Sequence, residues 1–327
     1  MDYVTLGSTG VHVSPLCFGT MSFGSEADEQ TSGQMFGRVR DAGINFFDTA
    51  DAYGAGASEE ILGRLVGGQR DEIVIASKVF YPTGSHPNAG GLSRRHVLRA
   101  AEASLRRLGT DWIDVYFVHA FDSSTPVEET LQAMQALRDQ GKILYLGVSN
   151  WAAWQIALAL GMSARQQLAR FEVVQPMYNL VRRQAEVEIL PLAVDQRLGV
   201  VTYSPLGGGL LTGKYGIDSR PATGRLIEQP RYADRYDQES DFATAERFTA
   251  LAAELGTTPA ALGVAWVKAN PAVTAPIIGA RNLHQLDGVL GALDIDMNQD
   301  LYQRITELSP TPPPATDRTE TRKAGWT

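Results

Sequence analysis

The chain is organised around Phe46-Phe47-Asp48-Thr49-Ala50-Asp51-Ala52-Tyr53, in which an apolar run ends in a carboxylate and a phenol follows five residues later. Two later apolar runs end in a similar way, one at Lys78 and the other at His119. Each run is typical of a buried strand that delivers one polar group where it ends. If the three strands are parallel neighbours, a carboxylate, a phenol, an ammonium and an imidazole meet at one mouth. The pattern therefore predicts a proton-donating site.

The rest of the chain alternates between strand-like and helix-like segments. Counting from Leu16, eight strand-like runs are separated by helical patterns, which indicates right-handed parallel βαβ units. Eight such units in about 250 residues favour an α/β fold of the (β/α)8 TIM-barrel type. Ahead of them, residues 4–6 and 11–13 flank Gly7-Ser8-Thr9-Gly10, which predicts an N-terminal β-hairpin that caps one end. The alternative is a doubly wound sheet, but no Gly-x-Gly-x-x-Gly follows the first strand.

Local signals predict where several elements begin and where loops lie. Ser58 is the predicted N-cap of the second helix, and Thr125-Pro126-Val127-Glu128 has the sequence of a capping box with proline at the first helical position. Residues 79–92 form a long loop rich in Gly and Pro, and residues 207–241 are predicted to be one long irregular stretch. Long loops of this kind are often functional.

Composition and charge limit the classes of function. The 327 residues include 29 basic and 37 acidic side chains, a formal net charge of −8, which gives no reason to expect nucleic acid or a membrane as a partner. The one cysteine, Cys17, is interpreted as a core thiol and fits a cytoplasmic protein. We see no secretory signal and no run of about 18 apolar residues. The five histidines show no metal-ligand spacing, so no metal site is predicted.

The four polar residues at the strand ends have complementary chemistry. A phenol has a pKa of about 10, and a nearby ammonium lowers it by about 1 to 3 units, so Lys78 is expected to bring Tyr53 near working pH. Asp48 is needed to keep a buried Lys78 charged. A neutral His119 can donate a hydrogen bond to a carbonyl oxygen and orient it. The set suits protonation of an oxygen that acquires negative charge, as when hydride adds to a carbonyl.

Each of the four side chains also has an ordinary structural explanation. Taken alone, the lysine can be solvated at a strand end, the histidine can be a hydrogen-bonded core residue, the aspartate can cap a turn, and the tyrosine can be loop packing. Their shared location at the ends of consecutive strands favours the site. A Ser-His-Asp hydrolase is a weaker hypothesis, because Ser149 and Ser204 lack a nucleophile-elbow context.

These residues stand in a series of motifs that resembles the aldo-keto reductase family. In order, the motifs are Asp48-Thr-Ala-Asp-Ala-Tyr53, Lys78, Asp114-Val-Tyr-Phe-Val-His119, Gly147-Val-Ser-Asn150, Val174-Gln175-Pro176, Tyr203-Ser-Pro-Leu206 and Pro276-Ile-Ile-Gly-Ala-Arg281. The resemblance implies a TIM barrel with NADP(H) as the usual cofactor. It also implies that Asp48, Tyr53, Lys78 and His119 are catalytic. Hydride would pass from the nicotinamide to the carbonyl carbon while Tyr53 protonates the oxygen.

The resemblance further implies a set of cofactor contacts. It places the nicotinamide amide against Ser149, Asn150 and Gln175, with Tyr203 stacked on the ring; amide side chains and an aromatic face suit this role. The implied cofactor residues are Gly19, Thr20, Met21, Asp48, Ser149, Asn150, Gln175, Tyr203, Ser204, Pro205, Leu206, Gly208, Leu211, Gly213, Lys214, Arg225, Gly279, Arg281 and Gln285.

The phosphate contacts implied by the resemblance decide the expected cofactor preference. Residues 207–214 would wrap the pyrophosphate through backbone N–H groups, with Lys214 and Arg225 adding positive charge. Arg281, at a helix start, would hold the 2′-phosphate. No acidic residue lies among positions 276–286 to prefer a free ribose hydroxyl, so NADPH is expected over NADH. Val289 departs from the Asn that many relatives carry there, which predicts looser contact with adenine.

The remaining expectations concern the substrate and the ends of the chain. We expect residues 1–308 to form one barrel domain and residues 309–327 a Pro-rich polar tail with Trp326 near its end, which in this family can close over the substrate. The oligomeric state is left open. The candidate substrate-pocket residues are Met21, Phe80, Tyr81, Phe121 and Trp151.

Two functions from different classes fit these observations. The first is an NADPH-dependent enzyme that reduces an aldehyde or ketone to the alcohol, reversibly, with a small-molecule carbonyl compound as its partner. The alternative arises because the resemblance extends to potassium-channel β-subunits, which share the barrel and the four catalytic positions. In that case the chain would be a nucleotide-sensing partner protein with weak or no turnover.

Overall fold

The computed structural model describes residues 1–316 and contains a closed barrel of parallel strands. The strands are β1 (Val4–Thr5), β2 (His12–Val13), β3 (Cys17–Gly19), β4 (Phe46–Asp48), β5 (Val74–Val79), β6 (Ile113–Val118), β7 (Ile143–Ser149), β8 (Phe171–Gln175), β9 (Gly199–Thr202) and β10 (Ala275–Ile278). Strands β3 to β10 follow each other around the barrel in chain order, and β10 pairs with β3 to close it. The prediction of a (β/α)8 barrel is confirmed. The doubly wound alternative is wrong, because an open sheet has two unpaired edges.

The predicted N-terminal hairpin is also confirmed. Strands β1 and β2 pair antiparallel, with Val4 opposite Val13. Leu6 follows β1 and is completely buried in the apolar cluster inside the barrel. The Tyr145 hydroxyl donates to the Thr9 carbonyl at 3.0 Å, so the hairpin turn is tied to β7. The hairpin therefore closes the N-terminal end of the barrel.

Helices alternate with the barrel strands and cover its outside. The α-helices are α1 (Glu29–Asp41), α2 (Ala57–Val66), α3 (Arg94–Leu108), α4 (Val127–Asp139), α5 (Ala153–Gln166), α6 (Ile189–Asp195), α7 (Arg225–Glu228), α8 (Pro230–Arg235), α9 (Glu239–Glu254), α10 (Pro259–Lys268), α11 (Leu283–Leu290) and α12 (Gln299–Thr306). Within residues 1–316 no single helix is long and apolar enough to cross a membrane. Helices α9 and α10 meet that test only together, as a pair bent by 100°.

Two predicted helix caps are wrong, and in both cases the side chain has another partner. Helix α2 begins at Ala57, and the Ser58 hydroxyl donates to the Thr20 carbonyl at 2.8 Å. Helix α4 has Pro126 as its N-cap, without a side-chain cap. The Thr125 hydroxyl instead donates to Asp122 at 2.8 Å. A Ser or Thr beside a helix start can satisfy a neighbouring loop as well as the helix, and sequence spacing alone does not distinguish the two.

The stretch 207–241, predicted to be irregular, contains short helices. A 3-10 helix covers Gly207–Thr212, α7 and α8 follow, and α9 begins at Glu239. Helices as short as α7 and α8, with 4 and 6 residues, are too brief to show a helical apolar repeat. Sequence periodicity therefore missed them.

The core has two layers, which follow from the alternation of side chains along each strand. Cys17 and Phe46 belong to the cluster inside the barrel, whereas Phe18 and Phe47 pack under the helices. Because successive residues of a strand face opposite sides, the interior set continues in steps of two toward the strand ends. In each strand, the residue two positions beyond the last apolar interior residue therefore also faces the interior. These residues form the upper layer of the barrel interior, at the C-terminal end of the strands.

Candidate active site

The upper layer of the barrel interior is made by one residue at, or directly after, the C-terminal end of each barrel strand. Counting in steps of two from the buried interior residues places them there: Gly19, Asp48, Lys78, His119, Ser149, Gln175, Tyr203 and Gly279. The register agrees, since Gly19 pairs with Asp48 and Ser149 pairs with Gln175. All of these are sequence-predicted site residues, and the strands bring them to the C-terminal end, where chemistry is located in TIM barrels.

Lys78 is the hub of this layer. Its side chain is completely buried, and its ammonium donates to Asp48 Oδ1 at 2.5 Å, to the Thr49 carbonyl at 2.7 Å and to Tyr53 Oη at 3.3 Å. An ammonium has three N–H donors, so these acceptors use all of them. Since Lys78 is the donor toward the phenol oxygen, the phenol proton is left for another acceptor. The Thr49 carbonyl is a member of this group that the sequence did not single out.

Burial and neighbouring charges keep both the Tyr53 phenol and the Lys78 ammonium protonated. Burial raises the pKa of the Tyr53 phenol by more than Lys78 lowers it, so the net shift is upward. Burial also lowers the pKa of the Lys78 ammonium, but Asp48 and Tyr53 together raise it further, so the net shift is again upward. The expectation that Lys78 brings the pKa of Tyr53 near working pH is therefore wrong for the resting site. At neutral pH the phenol is a protonated donor beside a charged ammonium.

His119 is neutral in this environment. Burial, and then the charge on Lys78, lower the pKa of its imidazole to about 2. Its Nδ1 atom is buried without a hydrogen-bond partner among the described residues, and the ring stands edge-on to Tyr53 with centroids 6.0 Å apart. A neutral imidazole carries one N–H donor. The geometry suits the role predicted from sequence, which was to orient a carbonyl oxygen beside the phenol.

The expected nicotinamide residues form a continuous hydrogen-bonded chain with Asp48. Gln175 Nε2 donates to Asp48 Oδ2 at 2.8 Å, and Ser149 Oγ donates to the Gln175 carbonyl at 2.9 Å. Asn150 Nδ2 donates to Ser149 Oγ at 3.0 Å and to the His119 carbonyl at 2.9 Å. The Tyr203 hydroxyl donates to Asn150 Oδ1 at 2.7 Å. These side chains are thus held in fixed orientations around one mouth.

The loop after β9, which was expected to wrap the pyrophosphate, contains several residues with positive φ. Ser204 has a φ of 56°, and Gly208 and Gly209 have φ values of 66° and 104°. The N–H groups of Gly207, Gly209 and Leu211 donate to carbonyls within the loop, at 3.0, 3.0 and 3.2 Å. Pro205, Leu206 and Gly213 lie in this turn as expected, and Gly213 is exposed. Leu211 and Thr20, however, are both 0% exposed. As the structure stands, these two residues present no surface to a ligand.

Three expected phosphate-binding cations lie close to one another. Arg225 and Arg281 both form ion pairs with Glu26, at 2.8 and 2.7 Å. Burial, followed by Arg281 and Arg225, lowers the pKa of Lys214, apart from an opposing contribution of Glu228. Local sequence around Arg281 gave no carboxylate, but the fold supplies Glu26 from the loop after β3. Sequence reasoning missed it because it is distant along the chain.

Three further positions in or just before α11 were singled out from the sequence: Gly279, Gln285 and Val289. Gln285 accepts a hydrogen bond from the backbone N–H of Arg281 at 3.0 Å, while Asn282 caps α11 by accepting from Gln285 N at 3.0 Å. Gly279 is exposed, and a Cβ added there would lie 3.6 Å from the Gly19 carbonyl. Val289 is buried in the core under α11, with 4% of its surface exposed. Its side chain therefore packs in the core.

The candidate substrate residues include two aromatic pairs, and one of these pairs lies beside His119. Tyr81 is 45% exposed and stands edge-on to His119, with ring centroids 4.9 Å apart, and it contacts Phe80 at 5.3 Å. Phe121 packs edge-on against Trp151 at 5.0 Å. Met21, on the loop after β3, is partly buried. Trp326, proposed to lie near the end of a closing tail, is outside the described residues.

A buried polar cluster behind the site was not found from sequence. Glu59, on α2, is completely buried, pairs with Arg107 at 2.7 Å and accepts from the Ser77 hydroxyl at 2.5 Å. Asp51 is 1% exposed, and neither of its carboxylate oxygens has a hydrogen-bond partner in the described part of the chain. Burial, with Glu59 as the next cause, raises the pKa of Asp51 to about 7. Two acidic residues at the beginning of a helical stretch gave no sign that they were buried.

Asp122 is another residue that sequence reasoning missed. It accepts hydrogen bonds from the Leu92 N–H at 2.7 Å, from the Ser124 N–H and hydroxyl at 2.9 and 2.5 Å, and from Thr125. These bonds lower its pKa to about 2 against the opposing effect of burial, the largest single contribution. Asp122 thereby joins the loop after β5 to the loop after β6.

Within residues 1–316, no group of His, Cys, Asp or Glu side chains is arranged to hold a metal ion.

Comparison with known proteins agrees with this geometry. A sequence model of the aldo/keto reductase family matches residues 15–310. The uncharacterized oxidoreductase YrpG of Bacillus subtilis (strain 168) is 41% identical over 325 residues, which cover 95% of this chain and 97% of that protein. Two proteins described as "probable voltage-gated potassium channel subunit beta", from Arabidopsis thaliana and Oryza sativa subsp. japonica, are each 39% identical over 302 residues, covering 90% of this chain and 92% of each relative. The chain belongs to the aldo/keto reductase family.

Proposed function

We propose that this protein reduces an aldehyde or ketone to the alcohol with NADPH, reversibly, and that Tyr53 supplies the proton. The observation that supports this most directly is the contact set of Lys78. All three of its N–H donors are engaged, one of them by the phenol oxygen of Tyr53. The phenol proton is therefore free to be donated, and the oxygen that gives it up already accepts a hydrogen bond from a cation.

The residues at the mouth and along its rim suit a dinucleotide cofactor. Aldo/keto reductases generally use NAD(P)H, and when bound NADPH would supply the hydride. Ser149, Asn150 and Gln175 would hold its carboxamide, and Tyr203 would face its ring. The rim carries a cluster of cations in a chain whose net charge is −8, and Arg225 Nε there is buried without a partner among residues 1–316. A local positive cluster with an unused donor fits phosphate.

The proton step follows from the site's own residues. Neutral His119 donates a hydrogen bond that places the carbonyl oxygen next to Tyr53. As negative charge develops on that oxygen, the phenol O–H bond breaks and a new O–H bond forms on the substrate. The phenolate left behind is stabilised by the Lys78 ammonium, whose own charge is balanced by Asp48. Solvent then returns a proton to Tyr53, which is only partly buried.

Charge and composition support further proposals about the cofactor preference, the substrate, the cellular compartment and the domain bounds. We place the 2′-phosphate of NADPH at Arg281, with Lys214 and Arg225 alongside, and therefore expect NADPH to bind more tightly than NADH. The partner is a small carbonyl compound held by the aromatic side chains beside His119, with no role for nucleic acid or membrane. The buried thiol of Cys17 is compatible with a reducing cytoplasm. We assign residues 1–308 to one domain and the rest to a tail.

A comparison of two tyrosine variants tests the proposal. Tyr53→Phe should lower kcat by about 10²–10⁴-fold, the usual contribution of a positioned acid, and leave the Kd for NADPH within about twofold. Tyr145→Phe is the matched control, because it removes a phenol hydroxyl at the opposite end of the barrel. Rates are measured at 340 nm with a panel of aldehydes and ketones, and Kd by fluorescence quenching. A Tyr53→Phe variant that keeps most of its rate would contradict the acid role.

A second function is favoured by two of the relatives, which are described as channel subunits. In that case the chain would be a nucleotide-sensing partner protein with weak or no turnover. The same assay separates the two proposals. Tight NADPH binding together with inert carbonyls across the whole panel favours the sensing function, whereas turnover that depends on Tyr53 favours the enzyme.

A further inference from the structure

Glu26 holds two arginines that come from distant parts of the chain. One carboxylate oxygen pairs with Arg225 Nη2 at 2.8 Å, and the other pairs with Arg281 Nη2 at 2.7 Å. Arg225 is the first residue of α7, and Arg281 precedes α11. One side chain of the loop after β3 thus joins the segment after β9 to the segment after β10. All three side chains keep between 25% and 31% of their surface exposed, so a ligand can reach them.

The loop that carries Glu26 has a defined structure. The Ser22 hydroxyl donates to the Ala280 carbonyl at 2.7 Å, which fixes this loop against the residue next to Arg281. Gly24 N donates to the Ala27 carbonyl, and Ala27 N donates to the Ser22 carbonyl, each at 2.9 Å. Phe23 and Ala27 are buried at 0% and 3%. The fold therefore brings the Glu26 carboxylate to the arginine pair through a hydrogen-bonded turn.

The cluster carries more positive charge than Glu26 balances. Arg225, Arg281 and the nearby Lys214 bring three formal positive charges, against the two negative charges of Glu26 and Glu228. Burial, Arg281 and Arg225 lower the pKa of Lys214, and Glu228 opposes them. Arg225 Nε is also buried without a partner in the described chain. Glu26 thus occupies the position of an anion in a site that has charge and a donor to spare. A phosphate arriving there meets a carboxylate that already holds the arginines.

The geometry points to Glu26 as a residue that sets the cofactor preference. It competes with the 2′-phosphate of NADPH for Arg281, and it offers a carboxylate to the free 2′-hydroxyl of NADH, which can donate a hydrogen bond to it. The native chain then distinguishes the two cofactors less strongly than its cations alone would allow. This inference rests on the proposed function, in which Arg281 binds the 2′-phosphate.

The test measures binding of adenosine 2′,5′-bisphosphate and adenosine 5′-monophosphate by isothermal titration calorimetry, so that turnover is not involved. Glu26→Gln should bind the bisphosphate about fivefold more tightly, an effect of the size expected for removing two partly exposed ion pairs. Its affinity for the monophosphate should stay the same or fall. Glu29→Gln is the control. It also removes one negative charge, but three residues further along the chain, where the Glu29 carboxylate pairs with Arg64. It should change neither affinity.

Several results would overturn the inference. Weaker bisphosphate binding by Glu26→Gln would mean that Glu26 positions Arg281 for phosphate instead of competing with it. Equal gains for both ligands, or an equal gain in Glu29→Gln, would mean that only overall charge matters. Arg281→Ala separates this failure from failure of the proposed function. If wild-type protein does not prefer the bisphosphate, or if Arg281→Ala keeps that preference, the 2′-phosphate assignment fails and this inference fails with it.

Discussion

Lys78 shows how one buried charge is made tolerable and useful at the same time. A lysine with no exposed surface loses its hydration, which favours the neutral form unless an anion compensates. Asp48 provides that anion at 2.5 Å, and Gln175 satisfies the other carboxylate oxygen. The charge that results is directed at Tyr53, where it stabilises the phenolate more than the phenol. The contacts that keep Lys78 charged in the fold are therefore the same ones that the proposed proton transfer uses.

A double-mutant cycle tests the coupling of this ion pair. Asp48→Asn should destabilise the protein by about 3–5 kcal/mol, because it leaves the Lys78 ammonium buried without a counter-ion. Adding Lys78→Met removes the unpaired charge, so the double variant should recover a large part of that loss. The free energy of unfolding is measured in urea for both single variants and the double variant. Losses that simply add would show that the two side chains do not depend on each other.

Asp51 predicts an unusual dependence of stability on pH. Its folded pKa of about 7 exceeds the unfolded value of about 3.9, so between these values the folded protein binds more protons than the unfolded chain. Stability from this group is therefore present below pH 4 and is lost as pH rises to 7, by on the order of 4 kcal/mol. Glu59, Arg107 and Lys78 also act on this carboxylate, and their effects are included in that pKa.

The contribution of Asp51 is isolated by comparing wild type with Asp51→Asn. The unfolding free energy of both is measured in urea from pH 5 to pH 8. The difference between them should shift in favour of the variant as pH rises, because asparagine has no charge to bury. Parallel curves for the two proteins would mean that Asp51 titrates alike in the folded and unfolded states.

At the level of strands and loops, the sequence predicted what depends on local periodicity. The apolar runs located the barrel strands, and the polar residue at the end of each run located the mouth, because strand ends in a parallel barrel share one edge. A period of two, counted from Cys17 or Phe46, would also have predicted that Gly19 and Asp48 face the interior. Contacts between distant loops could not be predicted in this way. Glu26 and Asp122 meet their partners only because the barrel closes.

Asp122 predicts how the loop after β5, which carries Phe80 and Tyr81, is held. Asp122→Ala removes the acceptor of the Leu92 N–H, so residues 80–93 should exchange amide hydrogens faster and KM should rise about 3- to 10-fold, with kcat nearly unchanged. Hydrogen exchange read by mass spectrometry, together with steady-state kinetics, measures both effects. Ser124→Ala is the control, because it removes one hydroxyl donor to Asp122 and leaves the Leu92 bond. Unchanged exchange in Asp122→Ala would show that the loop is fixed by its other contacts.

For the molecule as a whole, the two ends of the barrel have different tasks. The C-terminal end presents polar groups, glycines with positive φ and exposed aromatic rings, whereas the N-terminal end is filled by Leu6 and Val13 of the hairpin. A Cβ on Gly7 would lie 2.3 Å from the Gly199 backbone nitrogen, so the hairpin turn lies directly against β9. Substitutions at this end should therefore change stability and leave the chemistry intact.

Leu6→Ala tests this division. Truncating a completely buried leucine should lower the free energy of unfolding by about 2–5 kcal/mol, since the hairpin and the barrel strands can close only part of the cavity. The upper layer that contains Lys78 lies on the far side of the packed interior, so kcat and the Kd for NADPH should stay within about twofold of wild type at temperatures where the variant is folded. Urea unfolding and the 340 nm assay measure the two quantities on one preparation. A loss of kcat in a folded Leu6→Ala variant would show that the hairpin supports the geometry of the site through the barrel interior, and the separation of the two ends would then be wrong.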